Sequence, residues 1–345
     1  MQKLIVAMAR AWHPAHFLLI VALGFGLLGI SVRILRPESS LAASTPNPKP
    51  LIGVSSSPQN PLQVALLHWY NANQTTQFTT GSGAYGVAFD GADIWVCNNG
   101  SNNVTKLRAA DGANLGSFAV GTNPIAVAFD GANIWVANIN SSNVTKLQAS
   151  NGKVLGTFTV GTQPAALAFD GSNIWVANNG SNNVTKLKAS TGATLGTFAA
   201  GTNPAGLVFD GTDIWVANNG SGDVMEMNEA GTVLNTFTVG TEPAGIAFDG
   251  TNVWVGNFGS ANVTKLSTTG VVGTFSTGTG TGPSGVVYDG ANIWVTNFNG
   301  TSVVKLSKAG ATLGTFTVGT EPAGAAFDGA HIWVTNFGGT TVSKL

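Results

Sequence analysis

"FDGANIWVAN", residues 129–138, is one of seven near copies, the others beginning at Phe89, Phe169, Phe209, Phe248, Tyr288 and Phe327. Their Asp-Gly pairs stand 40, 40, 40, 39, 40 and 39 residues apart. So even a period marks an array of small units that share one core. That reading overrides the two or three separate domains that 345 residues would otherwise suggest.

One full repeat, "GTNPAGLVFDGTDIWVANNGSGDVMEMNEAGTVLNTFTVG" at 201–240, contains four apolar runs: Gly206–Phe209, Ile214–Val216, Val224–Met227 and Leu234–Val239. Asp-Gly, Asn-Gly-Ser-Gly and Glu-Ala-Gly separate them, and these are turn chemistries; no stretch sustains a helical period. Asp210-Gly211 between two strands is a tight-hairpin signal. The second run, "DIWVAN", is apolar at successive positions, so both faces of its sheet must be covered. Four short antiparallel strands every forty residues, each sheet packed by neighbours on both sides, predict an all-β, seven-bladed β-propeller. The other architecture weighed is a β-solenoid, whose coils are shorter and need no such set of antiparallel turns. The strand-two tryptophans, Trp95, Trp135, Trp175, Trp215, Trp254, Trp294 and Trp333, belong between blades. Each contributes roughly 4–6 kcal/mol as an upper bound, from about 150–250 Å² at about 25 cal/mol/Å².

The ends of the repeat array predict how the ring closes. Strand four, marked by Phe118, Phe158, Phe198, Phe237, Phe275 and Phe316, is missing after "TVSKL" at the C-terminus. It appears alone at "TTQFTTG", 75–81, before any strand one. The N-terminal strand around Phe78 should therefore complete the C-terminal blade. Strand three is oversupplied, because "VALL" at 64–67 aligns with "VTKL" at 104–107. Val342–Leu345 is the preferred strand three of the seventh blade, with 62–70 outside the regular ring; the reverse arrangement would keep a local N-terminal hairpin.

Ahead of the repeats, "FLLIVALGFGLLGISV" at 17–32 carries no charge and is flanked by Lys3, Arg10, Arg33 and Arg36. Sixteen residues suit a signal-peptide core better than a full span. "SLAAS" at 40–44 offers small residues for cleavage, whereas the flanking arginines suit a retained anchor, and both readings stay open. The expected organisation is a signal peptide or membrane anchor over 1–36, a Pro/Ser/Asn-rich linker over 37–60 and the propeller over 61–345. Either reading of the front end exports the propeller to a secreted, periplasmic or membrane-anchored location, with a membrane contact through 17–32 if the segment is kept.

Only 9% of residues are charged, and 61–345 hold ten basic against fifteen acidic side chains. Nucleic acid is therefore disfavoured as a partner, since phosphates call for a basic patch. The single cysteine, Cys97, excludes an internal disulfide; its equivalents are Ala137, Ala177, Ala217, Gly256, Thr296 and Thr335, and it reads as a small buried filler.

"WVTN" at 294–297 and 333–336 resembles the tetrapeptide of YVTN β-propeller repeats, with Trp for Tyr. The pattern through Pro204, Gly206, Asp210, Gly211, Ile214, Trp215, Val216 and Asn218 is similar to the repeats of NHL-type propellers and of the streptogramin (virginiamycin B) lyases. The resemblance spans roughly 61–345. For the lyases it implies a metal-assisted elimination at the propeller centre, using histidine with an acidic partner. Here His13 and His16 lie in the front segment, His68 precedes the ring, and His331 falls in the turn between strands one and two of the seventh blade. No histidine occupies a strand-two to strand-three loop.

In an up-and-down blade, loops two-three and four-one emerge on one face, and binding favours such loops above a rigid scaffold. On that face Asn98, Asn138, Asn178, Asn218, Asn257, Asn297 and Asn336 follow strand two, and turn capping explains them. The Asp residues of the Asp-Gly pairs likewise read as turn formers. Departures from the repeat say more. Phe258, Phe298 and Phe337 stand where other blades have Asn99, Ile139, Asn179 and Asn219, and Glu242 and Glu321 stand where others have Asn123, Gln163 and Asn203. Aromatics beside carboxylates and amides suit a sugar ring, a cationic peptide or a divalent cation; drift after duplication is the plain alternative. The expected ligand patch is Glu242, Glu321, Phe258, Phe298 and Phe337, with Asn257, Asn297 and Asn336. "NVT" at 103–105, 143–145, 183–185 and 262–264 matches a glycosylation acceptor but recurs because it starts strand three. Met225, Glu226 and Met227 break the "VTKL" pattern in the fourth blade.

The function these features suggest is a binding or scaffold module for a protein, peptide or glycan, needing no cofactor. One alternative is a metal-assisted lyase, for which a divalent cation would serve; another is a structural cell-surface component.

Overall fold

The computed structural model describes residues 76–279 and 281–345. Expectations for 1–36, 37–60 and 64–67, and for His13, His16 and His68, lie outside the described residues. Within them the chain forms seven four-stranded antiparallel sheets, each strand hydrogen-bonded to the next. In the fourth blade the strands run Pro204–Phe209, Ile214–Asn218, Asp223–Met227 and Val233–Thr238. These are the four apolar runs of the repeat, the first extended back to its proline.

The ring closes as its ends predict. Thr76–Thr79 pairs antiparallel with Thr341–Lys344, placing Phe78 opposite Val342. The centroid of Phe78 lies 5.3 Å from that of Trp333, matching the 5.5 Å between Trp95 and Phe118 within the first blade. The closing strand thus occupies an ordinary strand-four place.

Strand two is buried at every core position because the next blade covers it. Trp95, Cys97 and Val104 of the first blade pack on Ile134, Val136 and Leu147 of the second. Cys97 is the small filler expected, and burial pushes its thiol pKa up. Each tryptophan is also held by the Asp-Gly turn five residues earlier. From Asp90–Trp95 to Asp328–Trp333, Nε1 donates to the carboxylate at 2.7–2.9 Å, while the other carboxylate oxygen accepts two turn amides. The turn-forming aspartates therefore also anchor the interblade core.

The lysine of "VTKL" forms a second link between blades. Lys106, Lys146, Lys186, Lys265, Lys305 and Lys344 lie 4.6–5.2 Å from the ring centroids of the strand-two tryptophans. Five of them donate to a carbonyl of the next blade, as Lys106 does to Ala149 at 2.7 Å. A cation over an indole contributes about 0.5–2 kcal/mol.

The fourth blade has Glu226 at this place, 2% exposed, hydrogen-bonded by Asn235 at 2.6 Å. Burial, then the charges of Asp213 and Asp210, push its carboxyl pKa up despite that bond. A raised carboxyl pKa means stability that is full in acid and declines as pH rises through the folded value. Glu226→Lys should restore the tryptophan contact and meet Asp213 as Lys106 meets Asp93 at 3.0 Å. We expect a gain of about 1–2 kcal/mol at pH 7, read as a higher melting midpoint; Glu226→Gln should give a smaller gain that vanishes below about pH 4. A midpoint unchanged by both substitutions would refute this account of the blade-four interface.

Candidate functional site

Strand one of every blade faces the ring axis and walls a central channel of about 540 Å³. The residue after the first of each strand one sets its bore: Tyr85, Ile125, Ala165, Ala205, Ala244, Ser284 and Ala323. None carries a formal charge, and only Tyr85 and Ser284 are polar. Burial pushes the Tyr85 phenol pKa up, partly offset by a hydrogen bond with Ser284.

The two-three and four-one loops meet at one mouth of this channel through a repeated backbone clasp. The residue before each strand-one proline takes a left-handed conformation, with φ of 52° at Asn123, 53° at Glu242, 57° at Gly282 and 51° at Glu321. Its carbonyl accepts the amide of the residue that follows the strand-two asparagine: Phe258 to Glu242 at 2.9 Å, Phe298 to Gly282 at 3.0 Å, and Phe337 to Glu321 at 3.0 Å. A side chain other than glycine in that region costs roughly 1–2 kcal/mol. The two glutamates are therefore held at a strained backbone position.

This clasp brings the predicted glutamates and phenylalanines together as neighbours along the rim. Glu242 and Glu321 are exposed, and the phenylalanines are half-buried. The rings continue from blade to blade: Phe258 to Phe298 at 6.0 Å, Phe298 to Phe337 at 5.7 Å, and Phe337 to Tyr85 at 5.5 Å, edge to face. They form an aromatic arc around half of the mouth. Tyr85 was missed from sequence, although it departs from the alanine found at this place in most blades.

Asn257, Asn297 and Asn336 correct the expectation that they present themselves on the face. They lie beneath it, at most 2% exposed, with Nδ2 engaged inside the blade: Asn257 on Asn262 and Thr264, Asn297 on Ser302, Asn336 on Thr341 and Ser343. Strand-two backbone ends there and the four-one glycine presses on the asparagine. A Cβ added to Gly240 would lie 2.6 Å from the Asn257 amide carbon. These residues support the arc from below.

The other half of the mouth is joined by amides. Asn123 Nδ2 donates to the Asn99 carbonyl at 3.0 Å and Asn203 Nδ2 to the Asn179 carbonyl at 3.1 Å. Asn99, Asn179 and Asn219 donate in turn to the carbonyls of Pro124, Pro204 and Pro243. The two halves of the rim therefore use different chemistry to link blades.

His331, in the strand-one to strand-two turn, is exposed on the opposite face, its Nδ1 3.4 Å from Asp328. Among the described residues no three of His, Cys, Asp and Glu lie close enough to share a cation. The side chains at the mouth thus do not fit the metal that the lyase resemblance implies.

No protein-family model matches the chain, and no curated protein matches it. Solved structures do. A streptogramin B lyase matches with a TM-score of 0.68 at 18% identity, over 79% of this chain and 96% of that one. Virginiamycin B lyase from Staphylococcus aureus gives 0.69 at 17%, over 79% and 98%. Hydrazine synthase of Kuenenia stuttgartiensis gives 0.68 at 18%, over 78% and 96%. Proteins named for such different chemistries share the architecture alone with this chain. It has the seven-bladed propeller fold of the streptogramin and virginiamycin B lyases.

Proposed function

We propose that this is an exported or membrane-tethered propeller that binds a ligand on its loop face and releases it chemically unchanged. The observation that carries the reading is the aromatic arc of Phe258, Phe298, Phe337 and Tyr85 at the mouth of an uncharged channel. Rings that remain half-buried on rigid loops, as the three phenylalanines do, or on a strand, as Tyr85 does, offer contact area at little entropic cost. Glu242 and Glu321 add the face's directional acceptors, and the uncharged, base-flanked segment 17–32 supports the exported location.

The test is to screen the full chain in detergent on peptide and glycan arrays beside Phe298→Ala. We expect a class of ligand whose binding falls at least tenfold in the variant and whose recovered mass is unchanged. Binding indifferent to Phe298→Ala, or a ligand recovered as product, overturns the reading. The shared fold keeps the lyase alternative in view. That alternative requires a cation to raise the melting midpoint, by about 2.7 kcal/mol of stability at 100 times its dissociation constant, and requires Glu242→Ala with Glu321→Ala to abolish the rise.

A further inference from the structure

We propose that the ligand presents an organic cation, an alkylated ammonium head, to the mouth of the channel; this rests on the loop-face reading above and names its ligand class. Charge is the first argument. The two-three loops (99–102, 139–142, 179–182, 219–222, 258–261, 298–301 and 337–340) and the four-one loops (80–83, 120–123, 160–163, 200–203, 239–242, 277–282 and 318–321) contain no Lys, Arg or His. Glu242 and Glu321 are their only charged residues. The face repels anions and attracts cations at any pH where carboxylates are ionised.

Position is the second. Glu242 is clasped to Phe258 at one side of the arc and Glu321 to Phe337 near the other, with Phe298 between the two phenylalanines. The carboxylates fold over the residues that follow those rings. A Cβ added to Gly259 would meet Glu242 Oε2 at 3.2 Å, and one added to Gly338 would meet Glu321 Oε2 at 3.2 Å. Negative charge therefore brackets a run of ring faces whose quadrupoles also favour positive charge.

Hydrogen-bond supply is the third. On the amide half of the rim Asn99, Asn123, Asn179, Asn203 and Asn219 each spend an Nδ2 hydrogen on a neighbouring blade. The side chains that set the aromatic half apart, Glu242, Glu321 and the three phenylalanines, supply acceptors and π faces and no donor. A neutral sugar needs donors and acceptors together, whereas a soft cation needs only acceptors and π faces. An alkylated ammonium is weakly hydrated, so it loses little on entering a mouth above Ala165, Ala205 and Ala244, and the channel has room for an apolar group attached to it.

Calorimetric titration of the full chain in detergent tests this with choline, its uncharged carbon isostere 3,3-dimethyl-1-butanol, and glucose. The variants are Phe298→Leu, which keeps the apolar volume without the π face, and Glu242→Gln with Glu321→Gln. The expected result is a roughly tenfold or greater preference for choline over the isostere, lost in Phe298→Leu and weakened in the double variant, most clearly at low salt. Equal binding of choline and isostere, both lost in Phe298→Leu, overturns the cation and leaves loop-face binding standing. Preference for glucose does the same. Choline binding that neither variant changes places the site elsewhere and overturns the proposal together with the loop-face reading. Failure of choline to bind at any accessible concentration overturns the proposal, and the arrays then decide loop-face binding separately. Unchanged melting midpoints show that the variants remain folded.

Discussion

Asp249→Ala is expected to lower the melting midpoint by on the order of 10 °C. Its carboxylate accepts Trp254 Nε1 at 2.9 Å and the amides of Thr251 and Asn252 at 2.9 and 2.8 Å, and the residue is 2% exposed. Alanine leaves three donors without an acceptor. At about 1–3 kcal/mol for each buried group, less what water recovers at the turn, the loss is roughly 3–5 kcal/mol. In a domain of this size each kcal/mol moves the midpoint by about 2–4 °C. Asp249→Asn keeps an acceptor and should lose less than half as much. A small, equal effect of both substitutions would mean that the tryptophan packs without its anchor.

The same anchors set the response to acid. In Asp130, Asp170, Asp249, Asp289 and Asp328, burial raises the carboxyl pKa, but hydrogen bonds from the indole and the turn outweigh it and leave each below the ordinary 3.8. A depressed carboxyl pKa gives stability that is full above the unfolded value and is lost as pH falls through the folded one. Five such groups predict a steep fall of the melting midpoint below about pH 4, opposite in sign to the Glu226 contribution.

Phe78→Ala is the second large effect. The ring packs at a tilt of 31° against Trp333, and a Cβ on Gly112 would lie 2.0 Å from it, so Phe78 joins the seventh blade to the first. Removing a packed phenylalanine costs about 3–5 kcal/mol. The expected signature, besides a lower midpoint, is faster proteolysis around residues 76–82. Phe237→Ala in mid-ring removes an equivalent ring but should leave those residues protected. Equal protection in both variants would show that the N-terminal strand does not need Phe78 to stay in place.

The architecture was legible because the chain states its unit seven times; period, turn chemistry and the orphaned strand at Phe78 fixed blade number and closure together. Contacts across the repeat were harder to see. The lysine of "VTKL" looks like a surface residue, yet Lys106 is 6% exposed over an indole. The Asp–Trp anchor hides because five residues along the sequence carry it around a turn. At the candidate site the departures Phe258, Phe298, Phe337, Glu242 and Glu321 marked the rim, and the same comparison applied to strand one would have added Tyr85. The asparagines misled because a residue next to a loop can point beneath it, and sequence does not give depth.

Among the described strands, Thr76–Thr79, which completes the ring, precedes all the others and its partner Thr341–Lys344 follows them. Gln77 and Thr341, joined at 3.4 Å, stand 264 residues apart. Across an unfolded chain that separation would cost about 5 kcal/mol of entropy beyond a constant, a cost that only prior stacking of the intervening blades removes, whereas every other pairing in a blade is local. Folding should therefore run as a fast local stacking of blades followed by one slow latch. Until the latch engages, the stack exposes Trp333 at one end and the Ile94 face at the other, and two unlatched molecules can trade N-terminal strands. Refolding yield should fall with protein concentration for this reason, and a linked pair should persist wherever the exchange is faster than closure.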